Sequence, residues 1–190
     1  GKTAAFSLPI LHYLNVRQVQ SKDRCPRVLV LAPTRELTIQ IADSIKLYGS
    51  HIAFKQTSIY GGVGQNPQVA ALKRGVDVIV ATPGRLLDLV NQGLCPLGRI
   101  ECFVLDEADR MLDMGFIHDV KKIVAKLPQK RQTLLFSATM PKKVAALARD
   151  LLHKPINVAE TAQATTIERI DQSIIFLPQN YKQKKLMDLL

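Results

Sequence analysis

Residues 102–109 read Cys102-Phe103-Val104-Leu105-Asp106-Glu107-Ala108-Asp109. Four consecutive apolar residues, without the alternation of a half-exposed strand, read as a short strand covered on both faces. Three carboxylates then arrive within four positions. One explanation is purely structural, since acidic residues favour the N-terminus of a helix. The other is chemical. A carboxylate at a strand tip can hold Mg2+, and a second one beside it can orient or deprotonate a water molecule. The residues on either side of this stretch bear on the choice.

The same texture recurs along the chain. Residues 28–32, Val-Leu-Val-Leu-Ala, read as a buried strand between Pro26 and Pro33. A helix over 36–48 follows, with Leu37, Ile41, Ile45 and Tyr48 on one face. Further strands are predicted at 55–60, 76–81 and 133–136, with a short sixth one at 156–158. Helices are predicted over 65–73, 83–90, 116–127 and 141–152, with a short one through Met111. Residues 4–14 suit a helix kinked at Pro9. This alternation predicts an α/β fold: an open parallel sheet with helices on both faces. Right-handed crossovers then bring the carboxyl end of every strand to one edge.

After Glu160 the pattern changes. Residues 161–171 begin Thr-Ala-Gln-Ala-Thr-Thr and read as a linker. A fresh strand at 173–177 and a helix from 181 follow, so residues 172–190 are expected to begin a second domain. A strand added to the first sheet is the alternative.

Lys and Arg number 26 against 16 Asp and Glu, a formal charge of +10. The excess is spread, with 11 basic against 5 acidic residues in 1–95 and 15 against 11 in 96–190. That balance suits a polyanion such as nucleic acid. Lys121, Lys122, Lys126, Lys130 and Lys143 read as solvated helix-face charges. No apolar run is long enough for a membrane helix. Cys25, Cys95 and Cys102 form no CxxC pair, and the four histidines have no ligand spacing. Disulfide frameworks and zinc sites are therefore not expected, and a reducing, cytoplasmic setting is.

If the strands are parallel, their ends form one list of polar residues. They are Pro33-Thr34-Arg35-Glu36, Gly61-Gly62, Thr82-Pro83-Gly84-Arg85, Asp106-Glu107-Ala108-Asp109 and Ser137-Ala138-Thr139. Ligands of open parallel sheets bind beyond those ends. Singly, each has a plain reading as a proline at a helix start, a cap or a turn. Gly1-Lys2-Thr3 is the tail of the phosphate-loop pattern G-x-x-x-x-G-K-[ST], whose Lys reaches phosphates and whose Thr binds Mg2+. Its pairing with Asp106 and Glu107 favours the chemical reading of the acidic cluster. A chain opening on these residues reads as cut within the loop.

Residues 1 to about 177 resemble the first RecA-like domain of a DEAD-box RNA helicase, a P-loop NTPase fold. The resemblance rests on Asp106-Glu107-Ala108-Asp109, Pro33-Thr34-Arg35-Glu36-Leu37, Gly61-Gly62, Thr82-Pro83-Gly84-Arg85 and Ser137-Ala138-Thr139, in the family's order and spacing. The wording at 61–66 and Met114-Gly115-Phe116 is similar to the bacterial RhlE-type branch.

The resemblance implies an ATP-dependent RNA helicase that uses ATP and Mg2+. It also implies a role for each motif. Gly1, Lys2 and Thr3 would bind ATP phosphates and, through Thr3, the Mg2+. Asp106 would hold that Mg2+, through water. Glu107 would activate the hydrolytic water. Asp109 would couple to Ser137 and Thr139. Pro33, Thr34, Arg35, Gly61, Gly62, Thr82, Pro83, Gly84 and Arg85 would line a track for RNA, read through its backbone and without sequence preference. Thr38 departs from the family's usual Ala. Residues 1–160 would be the truncated ATP-binding domain. With half of each site beyond the chain, the fragment alone is expected to be inactive. A nucleotide-independent RNA-binding module on the same fold and a DNA translocase are the competing classes.

Overall fold

The structure, a computed structural model, describes residues 1–17, 25–159 and 173–189. Its elements in chain order are α1 (Lys2–Val16), β1 (Val28–Leu31), α2 (Arg35–Tyr48), β2 (Gln56–Ile59), α3 (Asn66–Lys73), β3 (Val78–Ala81) and α4 (Pro83–Asn91). Then come β4 (Cys102–Leu105), α5 (Ala108–Asp113), α6 (Ile117–Val124), β5 (Gln132–Leu135), α7 (Lys142–Leu151) and α8 (Lys182–Leu189). By contacts the chain divides into two units, Gly1–Lys154 and Pro155–Leu190.

All five strands are parallel and run in the order β2-β3-β1-β4-β5. Successive side chains of a strand point to opposite faces, and that alternation builds two cores. Val28, Val30, Val78, Val80, Cys102 and Val104 pack with Phe6, Ile10, Leu11 and Leu14 of α1 and with Ile41 and Ile45 of α2. Leu29, Leu31, Ile79, Phe103 and Leu105 pack on the other side with residues of α4 to α7. β1, β3 and β4 are buried on both faces, as the apolar runs predict. The outer strands β2 and β5 are only partly covered.

The register aligns Ile59, Ala81, Leu31, Leu105 and Leu135 in one row across the sheet. Each chain segment therefore leaves the sheet at the same edge.

Several expectations are corrected. α1 runs unbroken through Pro9. Pro9 and Ala5, whose carbonyl loses its helical donor to the proline, are both exposed, so water can replace the missing bond. On α2 the buried face is Thr38, Ile41, Ala42 and Ile45, and Tyr48 is exposed. No strand forms at 156–158, where Ile156 and Val158 are 91% and 92% exposed. Residues 173–178 likewise carry no strand, although a helix follows as expected. The linker expected at 161–171 lies outside the described residues.

Candidate functional site

Asp106 is where β4 leaves the sheet. Its amide donates to the Leu31 carbonyl at 3.0 Å, which continues the pairing with β1 by one residue and fixes the carboxylate at the edge. The residue is 4% exposed. Oδ1 accepts the Glu107 amide at 3.0 Å, and among the described residues Oδ2 accepts nothing. Burial pushes the Asp106 carboxyl above its ordinary range; the Glu107 amide and the charge of Lys2 pull the other way. Such a carboxylate is primed to gain from a nearby cation.

Glu107 turns the chain into α5 with φ 50°, a left-handed conformation unusual for a residue with a side chain. Its Oε2 lies 3.2 Å from Arg110 Nη1, one helical turn on. Asp109 faces the end of β5. Its Oδ2 accepts the Thr139 amide at 2.9 Å and the Thr139 hydroxyl at 2.8 Å. The Ser137 hydroxyl oxygen accepts the Asp109 amide at 3.1 Å and donates to the Thr139 carbonyl at 2.7 Å. Burial raises the Asp109 carboxyl, but the hydrogen bonds from Thr139, Ser137 and the Arg110 amide outweigh it and hold the carboxyl below its ordinary range. Hydrogen bonds thus join Asp109, Ser137 and Thr139.

Gly1 caps α1, and Lys2 and Thr3 begin it. Gly1 has no side chain to cap this helix, and the amides of a helix N-terminus suit an anion.

Along the edge, the sheet order sorts the remaining residues. The ends of β2, β3 and β1 lie side by side, and those of β4 and β5 lie beyond them. Gly61, Gly62 and Gly84 are exposed, with open space where a Cβ would sit, and Gly62 has φ 78°. Thr34 caps α2, its hydroxyl oxygen accepting the Leu37 amide at 3.2 Å. Thr82 stands at the cap of α4 without a side-chain bond to the helix. Arg85 Nη1 donates to the Val63 carbonyl at 3.1 Å.

Pro33 and Pro83, expected on the RNA track, are buried. Pro83 opens α4, where its missing N–H costs nothing. Thr38 is fully buried, donating to the Thr34 carbonyl at 2.9 Å, and so does not touch that surface. An open cleft of about 380 Å³ is lined by Thr57, Ser58, Tyr60, Val63, Gly64, Pro67 and Gln68, none of them an expected nucleotide residue.

The sequence reading missed Tyr60, Gln68 and Arg110. The Arg110 pair was available from its spacing of three to Glu107. Tyr60 and Gln68 carried no signal, because what they touch lies across a turn or on another element. Among the described residues no cluster of three or more His, Cys, Asp or Glu could hold a metal alone, and no helix is long and apolar enough to cross a membrane.

An open parallel sheet with an uncapped helix N-terminus and an acidic strand tip at its carboxyl edge is the architecture of a RecA-like helicase domain. A family model described as DEAD/DEAH box helicase matches residues 1–147, and the chain belongs to that family. It is 42% identical to a DEAD box protein from the hyperthermophile Methanococcus jannaschii, with a TM-score of 0.73 over 81% of this chain and 40% of that one. A hypothetical ATP-dependent RNA helicase from Sulfolobus tokodaii is 39% identical, with a TM-score of 0.71 over 81% of this chain and 43% of that one.

Among curated relatives, a probable ATP-dependent RNA helicase ddx17 of Dictyostelium discoideum is 45% identical over 98% of this chain. DEAD-box ATP-dependent RNA helicase 20 of Oryza sativa subsp. japonica is 44% identical over the whole chain. The chain spans 24% and 39% of those two proteins. Both are eukaryotic, and the bacterial branch read from residues 61–66 and 114–116 finds no support.

Proposed function

We propose that the protein containing this chain is an ATP-dependent RNA helicase, and that the chain supplies its first ATP-binding half. The observation that carries this is the buried Asp106 at the sheet edge, under the charge of Lys2 at the start of α1 and beside the hydrogen bonds of Asp109 with Ser137 and Thr139. The relatives bear names of the same kind.

Lys2 and the first amides of α1 would hold ATP phosphates, with Thr3 beside them. Asp106 fits a Mg2+ ion: it is buried, its Oδ2 is unpartnered, and Mg2+ is commonly shared between one carboxylate and substrate phosphates. A bound Mg2+ would neutralise phosphate charge and polarise the terminal phosphoryl group. Glu107 would take the proton of the attacking water on Oε1, while Arg110 steadies Oε2. Asp109 would transmit the state of that site to residues 137–139.

Gly61, Gly62, Thr34, Thr82, Gly84, Arg35 and Arg85 would contact the sugar-phosphate backbone of single-stranded RNA. Such contacts carry no sequence information. Residues 1–160 would form the first domain, 161–171 a linker and 172–190 the start of a second RecA-like domain. The exposed Ile174 and Phe176 suit a segment that continues into a further fold. The eukaryotic relatives favour their own branch of the family, and the free cysteines suit a reducing cytoplasm.

The test is Glu107→Gln in the intact protein. ATP hydrolysis should fall at least a hundredfold, the low end for removing a general base, while ATP affinity stays near wild type because Asp106 and Lys2 remain. Surviving hydrolysis would remove Glu107 from its role. Equal stimulation of wild-type hydrolysis by RNA and by DNA of the same length would overturn the RNA assignment.

A further inference from the structure

Arg35 occupies a position that needs explaining. It is the first residue of α2, where the aligned backbone dipoles disfavour a cation. Among the described residues its guanidinium donates no hydrogen bond and joins no ion pair. What holds it is an aromatic face: Cζ lies 5.1 Å from the centre of the Tyr60 ring. A guanidinium held by its face keeps its in-plane N–H groups free, and those are the groups that grip a phosphate bidentately.

Tyr60 is itself fixed. Its carbonyl accepts Gln68 Nε2 at 3.0 Å, and Gln68 is 7% exposed. Among the described residues the buried carboxamide Oε1 of Gln68 has no partner, and the contact with Tyr60 is this side chain's only hydrogen bond. Three residues after Tyr60, the Val63 carbonyl accepts Arg85. One loop, spanning Gly61 and Gly62, thus touches both arginines of the proposed RNA track.

We propose that Tyr60 is a positioning residue for RNA binding. Its ring presents the Arg35 guanidinium edge-outward to an RNA phosphate, and Gln68 anchors Tyr60 in the place where it can do so. Tyr60 acts through Arg35 and need not touch RNA itself. The inference rests on the RNA role of Arg35 proposed above.

The experiment uses the intact protein and a labelled short oligouridylate, measuring affinity, its salt dependence and RNA-stimulated ATPase. Tyr60→Leu should weaken RNA affinity about two- to five-fold, the range for an exposed cation–π contact. It should raise the KM for RNA and leave kcat and the KM for ATP unchanged. Because the Arg35 charge remains, the slope of log affinity against log salt should not change. Arg35→Ala should lower that slope by about 0.7, the value for one phosphate contact to a single strand.

Tyr60→Phe keeps the ring and should bind as wild type. Tyr60→Leu should add nothing once Arg35 is Ala. If Tyr60→Leu fails to fold, Tyr60→Met, whose unbranched side chain adapts to irregular gaps, replaces it. Unchanged affinity in Tyr60→Leu, beside a loss in Arg35→Ala, would overturn the positioning role while leaving the RNA reading intact. So would an additive double variant, or a Phe variant as weak as the Leu one. No effect of Arg35→Ala would instead overturn the RNA role of Arg35 on which the inference stands.

Discussion

Glu107 is one of two non-glycine residues with positive φ among those described, the other being Lys154. A side chain in the left-handed region costs about 1–2 kcal/mol, yet here the strained residue carries the proposed proton acceptor. Strain held at a site of chemistry is tolerated because the surrounding structure enforces it. Glu107→Gly should therefore stabilise the fold by up to about 1 kcal/mol, once glycine's greater unfolded-state entropy is deducted. It should abolish hydrolysis at the same time. Urea unfolding and ATPase measured on one preparation would check both outcomes. At this scale, the acidic cluster, Ser137 and Thr139 were legible because the motif spells them out. The burial of Pro33 and Pro83 was not legible, because a motif records adjacency and says nothing of which member is buried. Tyr60 was not legible at all, since a ring lying against an arginine 25 positions earlier leaves no spacing to read.

The edge opposite the site is held by a different set of contacts between elements. Arg27, at the entrance to β1, meets Glu101, at the entrance to β4, with Nε to Oε1 at 2.8 Å. The Tyr13 hydroxyl of α1 donates to the other carboxylate oxygen, and Arg27 Nη1 reaches the Arg17 carbonyl at 2.7 Å. The Arg27 side chain is 8% exposed and that of Glu101 39%. Hydrogen bonding to Arg27 holds the Glu101 carboxyl below its ordinary range despite partial burial. Glu101→Gln should cost about 1–3 kcal/mol at neutral pH, less than for a fully buried pair because Glu101 remains partly in water. A depressed carboxylate contributes stability above its unfolded pKa, about 4.3. That contribution disappears as pH falls through the lower, folded value. The gap between wild type and Glu101→Gln should therefore close under acid, which thermal unfolding across pH 2 to 7 would reveal. Element boundaries were legible where an apolar run had neighbours to pair with. The run Ile156-Asn157-Val158 has strand-forming residues and no partner strand, and sequence pattern cannot report a missing partner. Pro9 failed in the opposite direction, since packing of Phe6, Ile10, Leu11 and Leu14 carries the helix across it.

Over the whole molecule, the +10 charge divides into cations placed at the site and cations placed elsewhere. Lys121 is of the second kind, paired with Asp150 at 2.8 Å on the exposed surface. Lys121→Ala should leave the salt slope of RNA binding unchanged, whereas Arg85→Ala should reduce it by about 0.7. Titrations at several salt concentrations would separate them. The five strands of the open parallel sheet were legible, and even its shared edge, because alternating elements leave few topologies to choose from. The order of strands along that edge was not, since β1 pairs with β3 and β4 and not with β2, the strand that follows it. That pairing bears on how the chain is made. During synthesis the strand Val28–Leu31 emerges before both of its partners, which follow only with residues 78–81 and 102–105. Until they do, the nascent polypeptide holds an apolar strand with both edges open, a template for unwanted association. The segment stays incompletely paired from residue 31 to residue 105, and slowed translation over that stretch would lengthen the exposure.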